Sequence, residues 1–154
     1  MNNELDPLAM PAGDLKEPSY PLLREGIKAM VIRSFEEKTG VSKKGTDYKQ
    51  LSIFLVTTKD DLSSEGLQLG AGAGFFASIF LTPNERTSMQ QIKEEAAMPV
   101  KAALGRSTKV TARECVENPS LIVGKVVEVK VGIKKAKEGS GYDDSNVVKS
   151  WIIP

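Results

Sequence analysis

The chain has no histidine and one cysteine, Cys115. Losing histidine removes the commonest general base and the commonest metal ligand. A zinc site would have to be assembled from Cys115 and carboxylates, a poor donor set. One cysteine forbids an intrachain disulfide and suits a reducing compartment. No stretch of about 18 apolar residues is present, so no membrane span is expected. The N-terminus lacks a basic region followed by an apolar one, so no signal peptide is expected. There is no phosphate-binding loop ending in Gly-Lys-Ser/Thr. Gly70-Ala71-Gly72-Ala73-Gly74 is glycine-rich, but its spacing matches no nucleotide motif, and it reads as a flexible or closely packed loop. Cys115 has no histidine to activate it, which favours a buried structural thiol over a nucleophile. The expectation is therefore a protein that is not an enzyme and uses neither metal nor cofactor.

What remains is ordinary in amount and informative in arrangement. At 154 residues, 40% hydrophobic and 27% charged, the chain fits one soluble domain with a real core. Net charge is +1, so attraction to phosphate would have to come from local clusters. Glu4, Asp6, Asp14 and Glu17 against Lys16 leave residues 1–21 at −3 and the remainder at +4. Four prolines also fall in residues 1–21. That segment reads as a flexible acidic arm, with the folded domain covering 22–154.

Alternation along the domain predicts five strands. The first is Gly26–Phe35, followed by a charged turn, Glu36–Asp47. The second is Tyr48–Thr58, with Leu51, Ile53 and Leu55 on a core face and Tyr48, Gln50, Ser52 and Phe54 on the other. Lys59–Gly74 reads as a loop. Phe75–Leu81 is the third strand, and alternation alone leaves open which phenylalanines face inward. A helical segment, 85–119, follows. Thr82-Pro83-Asn84-Glu85 and Ser88-Met89-Gln90-Gln91 are alternative helix starts. Pro99 is expected to break or kink the helix near Ala97, with a short turn to Leu104 ended by Gly105. Thr111-Ala112-Arg113-Glu114 opens a further short helix closed by Asn118-Pro119. The last thirty-odd residues then form two strands, Lys125–Lys135 and about Asn146–Ile153, around a polar, basic turn.

The order β-β-β-α-β-β, mainly β with a helical insertion, is that of a five-stranded OB-fold barrel. Four stretches strengthen this. They are Leu22-Leu23-Arg24-Glu25-Gly26, Lys43-Lys44-Gly45-Thr46-Asp47-Tyr48, Leu121-Ile122-Val123-Gly124-Lys125, and Asn146-Val147-Val148-Lys149-Ser150 before a terminal Ile-Ile-Pro. In these the chain resembles the small OB-fold proteins encoded by phages and prophages that are regarded as single-stranded DNA-binding proteins. The likeness covers most of the chain after residue 20. It implies a barrel and a role in phage DNA replication, recombination or repair, in the cytoplasm of the host cell. Two departures stand out. The chain has no acidic C-terminal tail, a task the acidic arm could take over, and its segment 85–119 exceeds what a minimal barrel needs.

Sequence-tolerant binding of single-stranded DNA requires flat rings to stack on bases and cations to follow phosphates. The candidate stacking residues are Tyr48, Phe54, Phe76, Phe80, Tyr142 and Trp151. The candidate phosphate contacts are Arg33, Lys43, Lys44, Lys49, Lys134, Lys135 and Lys137. Each has a plainer assignment: Phe54, Phe76 and Phe80 as core, Trp151 as a barrel plug, and the lysines as solvated turn charges. Partners expected beside single-stranded DNA are replication or recombination proteins, and exposed sheet edges would allow a homodimer. The rival reading is an OB-fold protein-interaction, scaffold or virion module that binds no nucleic acid, with 85–119 as its docking face.

Overall fold

The computed structural model describes residues 8–9, 11, 21–42, 44–137, 139 and 143–154. The expected arm falls almost wholly outside them. The fold is mainly β. Five strands form one antiparallel sheet in the order β5-β2-β1-β6-β7: β1 Gly26–Val41, β2 Asp47–Thr57, β5 Gly74–Phe80, β6 Val126–Lys134 and β7 Ser145–Ile152. A short separate pair, β3 Asp61–Leu62 and β4 Gln68–Leu69, lies inside the segment expected to be a loop. Two residues per strand are too few to show periodicity.

β1 is the central strand and the main departure from expectation. It runs on to Val41, six residues beyond the predicted end at Phe35. The cause is a bulge. Ile32 pairs with Leu55 and Ser34 with Phe54, so Arg33 is an extra residue. Met30 and Ile32 point into the core before it, and Phe35 does so after it. The extra residue flips the inward parity, which hides the strand from a period-two reading. Glu36–Gly40 look like turn residues, yet a continuous ladder with β2 holds them extended, from Glu36↔Ser52 to Val41↔Asp47. The true turn is Ser42–Thr46, where the Ser42 N–H donates to the Thr46 carbonyl at 2.8 Å. Gly45 there has φ +79°, a left-handed conformation natural to glycine.

The concave side is filled by Met30, Ile32, Phe35, Leu51, Ile53, Leu55, Val127, Val129 and Val131, each at most 2% exposed. The helices cover this core. α1, Met89–Leu104, starts at Ser88 with a complete capping box to Gln91. The Thr82 start is unused; instead the Asn84 side chain accepts the Arg86 and Thr87 amides at 2.8 and 2.9 Å. Of the break or kink expected at Pro99, the break does not occur, and one helix runs through it to Leu104. Pro99, Val100 and Ala102 are all buried, so packing of the last turns outweighs the lost amide bond. α2, Ala112–Glu117, opens where expected, with the Thr111 hydroxyl accepting the Glu114 amide. A 3-10 turn, Pro119–Leu121, then leads to β6. Among the described residues, no helix is long and apolar enough to cross a membrane.

Polar groups stitch the segment before β1 to the rest. Asn146 accepts the Leu23 N–H at 2.9 Å and donates to the Leu23 carbonyl at 2.9 Å. Asp61 takes Lys28 Nζ at 2.6 Å and Arg24 Nε at 2.9 Å, with Lys28 and Asp61 side chains only 7% and 12% exposed. Burial pushes the Asp61 carboxyl up. The Lys28 bond, the Leu62 N–H and the two nearby cations outweigh it, and the net shift is downward.

Asp61→Asn would leave the buried Lys28 ammonium without its counter-charge. It is expected to lower stability by about 3 kcal/mol in urea unfolding at neutral pH. The wild-type carboxyl titrates below its ordinary value in the folded state. Its contribution is therefore complete above about pH 4 and is lost as pH falls through the lowered value. The gap between wild type and variant should shrink on acidification.

Candidate nucleic-acid interface

Beyond the bulge, the outward residues of β1, β2 and β5 fall into register. Ser34, Phe54 and Phe76 form one row. Glu36, Ser52 and Ser78 form the next, then Lys38, Gln50 and Phe80, and finally Gly40 beside Tyr48. Ala77 and Ile79 occupy the inward side of β5, so Phe76 and Phe80 must point out. They are 54% and 62% exposed. This resolves the question that alternation left open, and it goes against the default burial of phenylalanine.

The rings are paired across the strands. Phe54 and Phe76 lie with centroids 4.7 Å apart and a tilt of 37°. Tyr48 and Phe80 meet edge-on at 6.3 Å. Phe80 lies four residue steps along the strand from Phe76, roughly 13 Å at the usual rise. Lys38 Nζ stands 5.1 Å from the Phe76 centroid, within cation–π range, and 3.9 Å from Glu36. Tyr48 is held by a close approach: a Cβ on its neighbour Gly40 would sit 2.5 Å from the Tyr48 hydroxyl. Only glycine lets the ring lie there.

Next to this face is a cleft of about 710 Å³ between β5 and β7. These edge strands have Cα atoms within 8 Å of one another, but no ladder joins them among the described residues. Gln50, Phe76 and Phe80 line one side, Lys134, Lys149 and Trp151 the other, and α1 contributes Glu95 and Met98. Trp151 is half-buried, packed partly on the core, and in register with Val129. Lys149 is the extra residue of a second bulge, since Ser150 pairs with Lys130 and Val148 with Val131. Its aliphatic stem lies against Gly132, where a Cβ would collide with it.

Five of the thirteen sequence candidates do not join this surface. Arg33 lies in a separate hollow with Ser120 and Val123. Lys44 is exposed at the β1–β2 turn. Lys49 has the opposite parity to Tyr48; its amide bonds Thr82, and its charge acts on Glu37. The Glu37 carboxyl is lowered chiefly by its bond from Arg113, at 2.7 Å. Lys135 is engaged by Asp144 at 3.1 Å, and the Ala136 amide and Lys135 together lower that carboxyl. Lys137 is exposed in the β6–β7 turn and lines no part of the cleft. Lys43 and Tyr142 lie outside the described residues. The two basic turns sit at opposite ends of β1, and of their described candidate lysines only Lys134 lines the cleft with Phe80.

Two cations were missed. Lys38 was hidden because the bulge ended the readable part of β1. Lys149 was hidden by the second bulge. The only cysteine is fully buried, and burial together with Glu114 pushes its thiol up, against thiolate formation. No cluster of metal-ligating side chains occurs among the described residues. The surface can thus stack and attract. No known protein family matches the chain, and no curated protein is similar to it.

Gly40→Ala should force the Tyr48 ring off its seat. The expected outcome is a loss of about 1–2 kcal/mol in thermal or urea unfolding, as for overpacking elsewhere. The Tyr48 and Phe80 ring resonances should shift in NMR spectra while those of the concave core stay in place.

Proposed function

We propose that this chain binds single-stranded DNA with little sequence preference, through the outward face of β2 and β5. The carrying observation is the pair of exposed phenylalanines, Phe76 and Phe80, each backed by a second ring on one face. Exposed aromatic surface is costly unless something covers it, and bases offer matching flat faces. Lys38, Lys134 and Lys149 border the rings and would follow the phosphates. Tyr48, Phe54, Phe76 and Phe80 would stack, with Trp151 at the cleft wall.

The fold reading that goes with this is an OB-type barrel left open at the β5–β7 seam. Its support is the strand order, the long bulged first strand shared by two neighbours, and α1 between β5 and β6. The resemblance to phage-encoded OB-fold DNA-binding proteins suggests a non-enzymatic role in phage DNA replication, recombination or repair within the host cell. A second reading, a protein-docking module, is favoured by Glu36 on the face and Glu95 at the cleft, both repulsive to phosphate.

Titration with oligo-dT should quench Trp151 fluorescence. Each of Phe54→Ala, Phe76→Ala and Phe80→Ala should cost about 1–3 kcal/mol of binding. The logarithm of affinity should fall with the logarithm of salt, with a slope of about −0.7 per phosphate contacted. Lys38→Ala should flatten that slope by about one contact. Absence of quenching, of a gel shift and of salt dependence would reject DNA binding in favour of the docking module.

A further inference from the structure

The β1–β6 half of the sheet carries a second exposed face. Ahead of the bulge, the outward residues of β1 are Ile27, Ala29 and Val31, paired with Lys130, Glu128 and Val126 of β6. Ile27 is 66% exposed and Val126 53%. Glu128 and Lys130 are exposed, and neither has an ion-pair partner among the described residues. None of these side chains belongs to the aromatic rows.

We infer that this face docks a second copy of the same chain, sheet against sheet, about a two-fold axis. The argument is self-complementarity. In a two-fold contact, if one residue meets another, the reverse contact forms as well. An axis running across the strands between the Ile27–Lys130 and Ala29–Glu128 pairs lays each pair on the other. Lys130 then faces Glu128 of the partner subunit, and Ile27 faces Ala29 of the partner subunit. One operation thus matches opposite charges and sets a large side chain against a small one. Aligned sheets pack about 10 Å apart through such interdigitation. Glu128 and Lys130 offset each other, and Lys149, whose stem covers the next outward position Gly132, adds one cation at the margin. Both strands are interior to the sheet, so the contact is made by side chains rather than by the free edges that the sequence suggested.

Sedimentation velocity of the full chain between about 1 and about 100 μM tests this directly, and it reads association alone, independent of any ligand. Wild type should sediment as a dimer within that range. Glu128→Lys sets lysine against Lys130 across the axis and should weaken the dimer by at least about tenfold; Lys130→Glu should do the same. The double exchange should restore dimerisation. Ile27→Asp should give monomers with an unchanged circular dichroism spectrum. A wild type that stays monomeric, single exchanges without effect, or a double exchange no better than the singles would overturn the inference.

Discussion

One extra residue in β1 governs what the sheet displays. A strand of uniform alternation would keep each parity on one side throughout. Arg33 breaks that rule and lets β1 serve two neighbours with different outward sets. Before it, small and aliphatic residues face out beside β6. After it, Glu36, Lys38 and Gly40 face out beside the aromatic residues of β2. Gly40 and Lys38 then shape the aromatic surface directly, one by making room for Tyr48 and the other by covering Phe76. Without the bulge, the same sequence would turn Phe35 outward and bring Glu37 and Thr39 to the rings.

The exposed rings are tolerable because the other side of the sheet is tightly filled. Every inward position of β2 from Leu51 to Leu55 is buried, and α1 and α2 seal the end with Val100, Ala102 and Cys115. Polar ties add to the apolar burial of Leu23 in the segment before β1. Asn146 satisfies both backbone groups of Leu23, and Asp61 neutralises Lys28 while holding Arg24. Such fully paired buried groups favour one arrangement over near alternatives.

Much of this was legible in the sequence. The inward face of β2, the α2 cap at Thr111 and the β6–β7 hairpin follow from alternation and capping chemistry, which act locally. The order of the main elements along the chain, three strands, a helical segment and two strands, was legible too, because capping signals set the helices off from the alternating stretches. What stayed hidden was non-local. The two bulges depend on partner strands, and so Lys38 and Lys149 were overlooked. Pro99 sits within a helix because of what packs around it. The outward aim of Phe76 and Phe80 was undecidable, since both parities of that strand are apolar. Lysines at turns were easy to nominate, but whether a turn reaches the rings depends on sheet curvature.

The burial of Cys115 has a chemical corollary. Oxidants attack thiolates that they can reach, and this sulfur, on the inner side of α2, is fully buried and shifted toward its protonated form. Peroxide would meet softer targets first, notably the thioether of Met89, 48% exposed in the opening turn of α1. A sulfoxide there would face water and leave the concave interior undisturbed. The shape therefore rests on packing and polar ties, with no reactive sulfur in the part of the core that Cys115 fills.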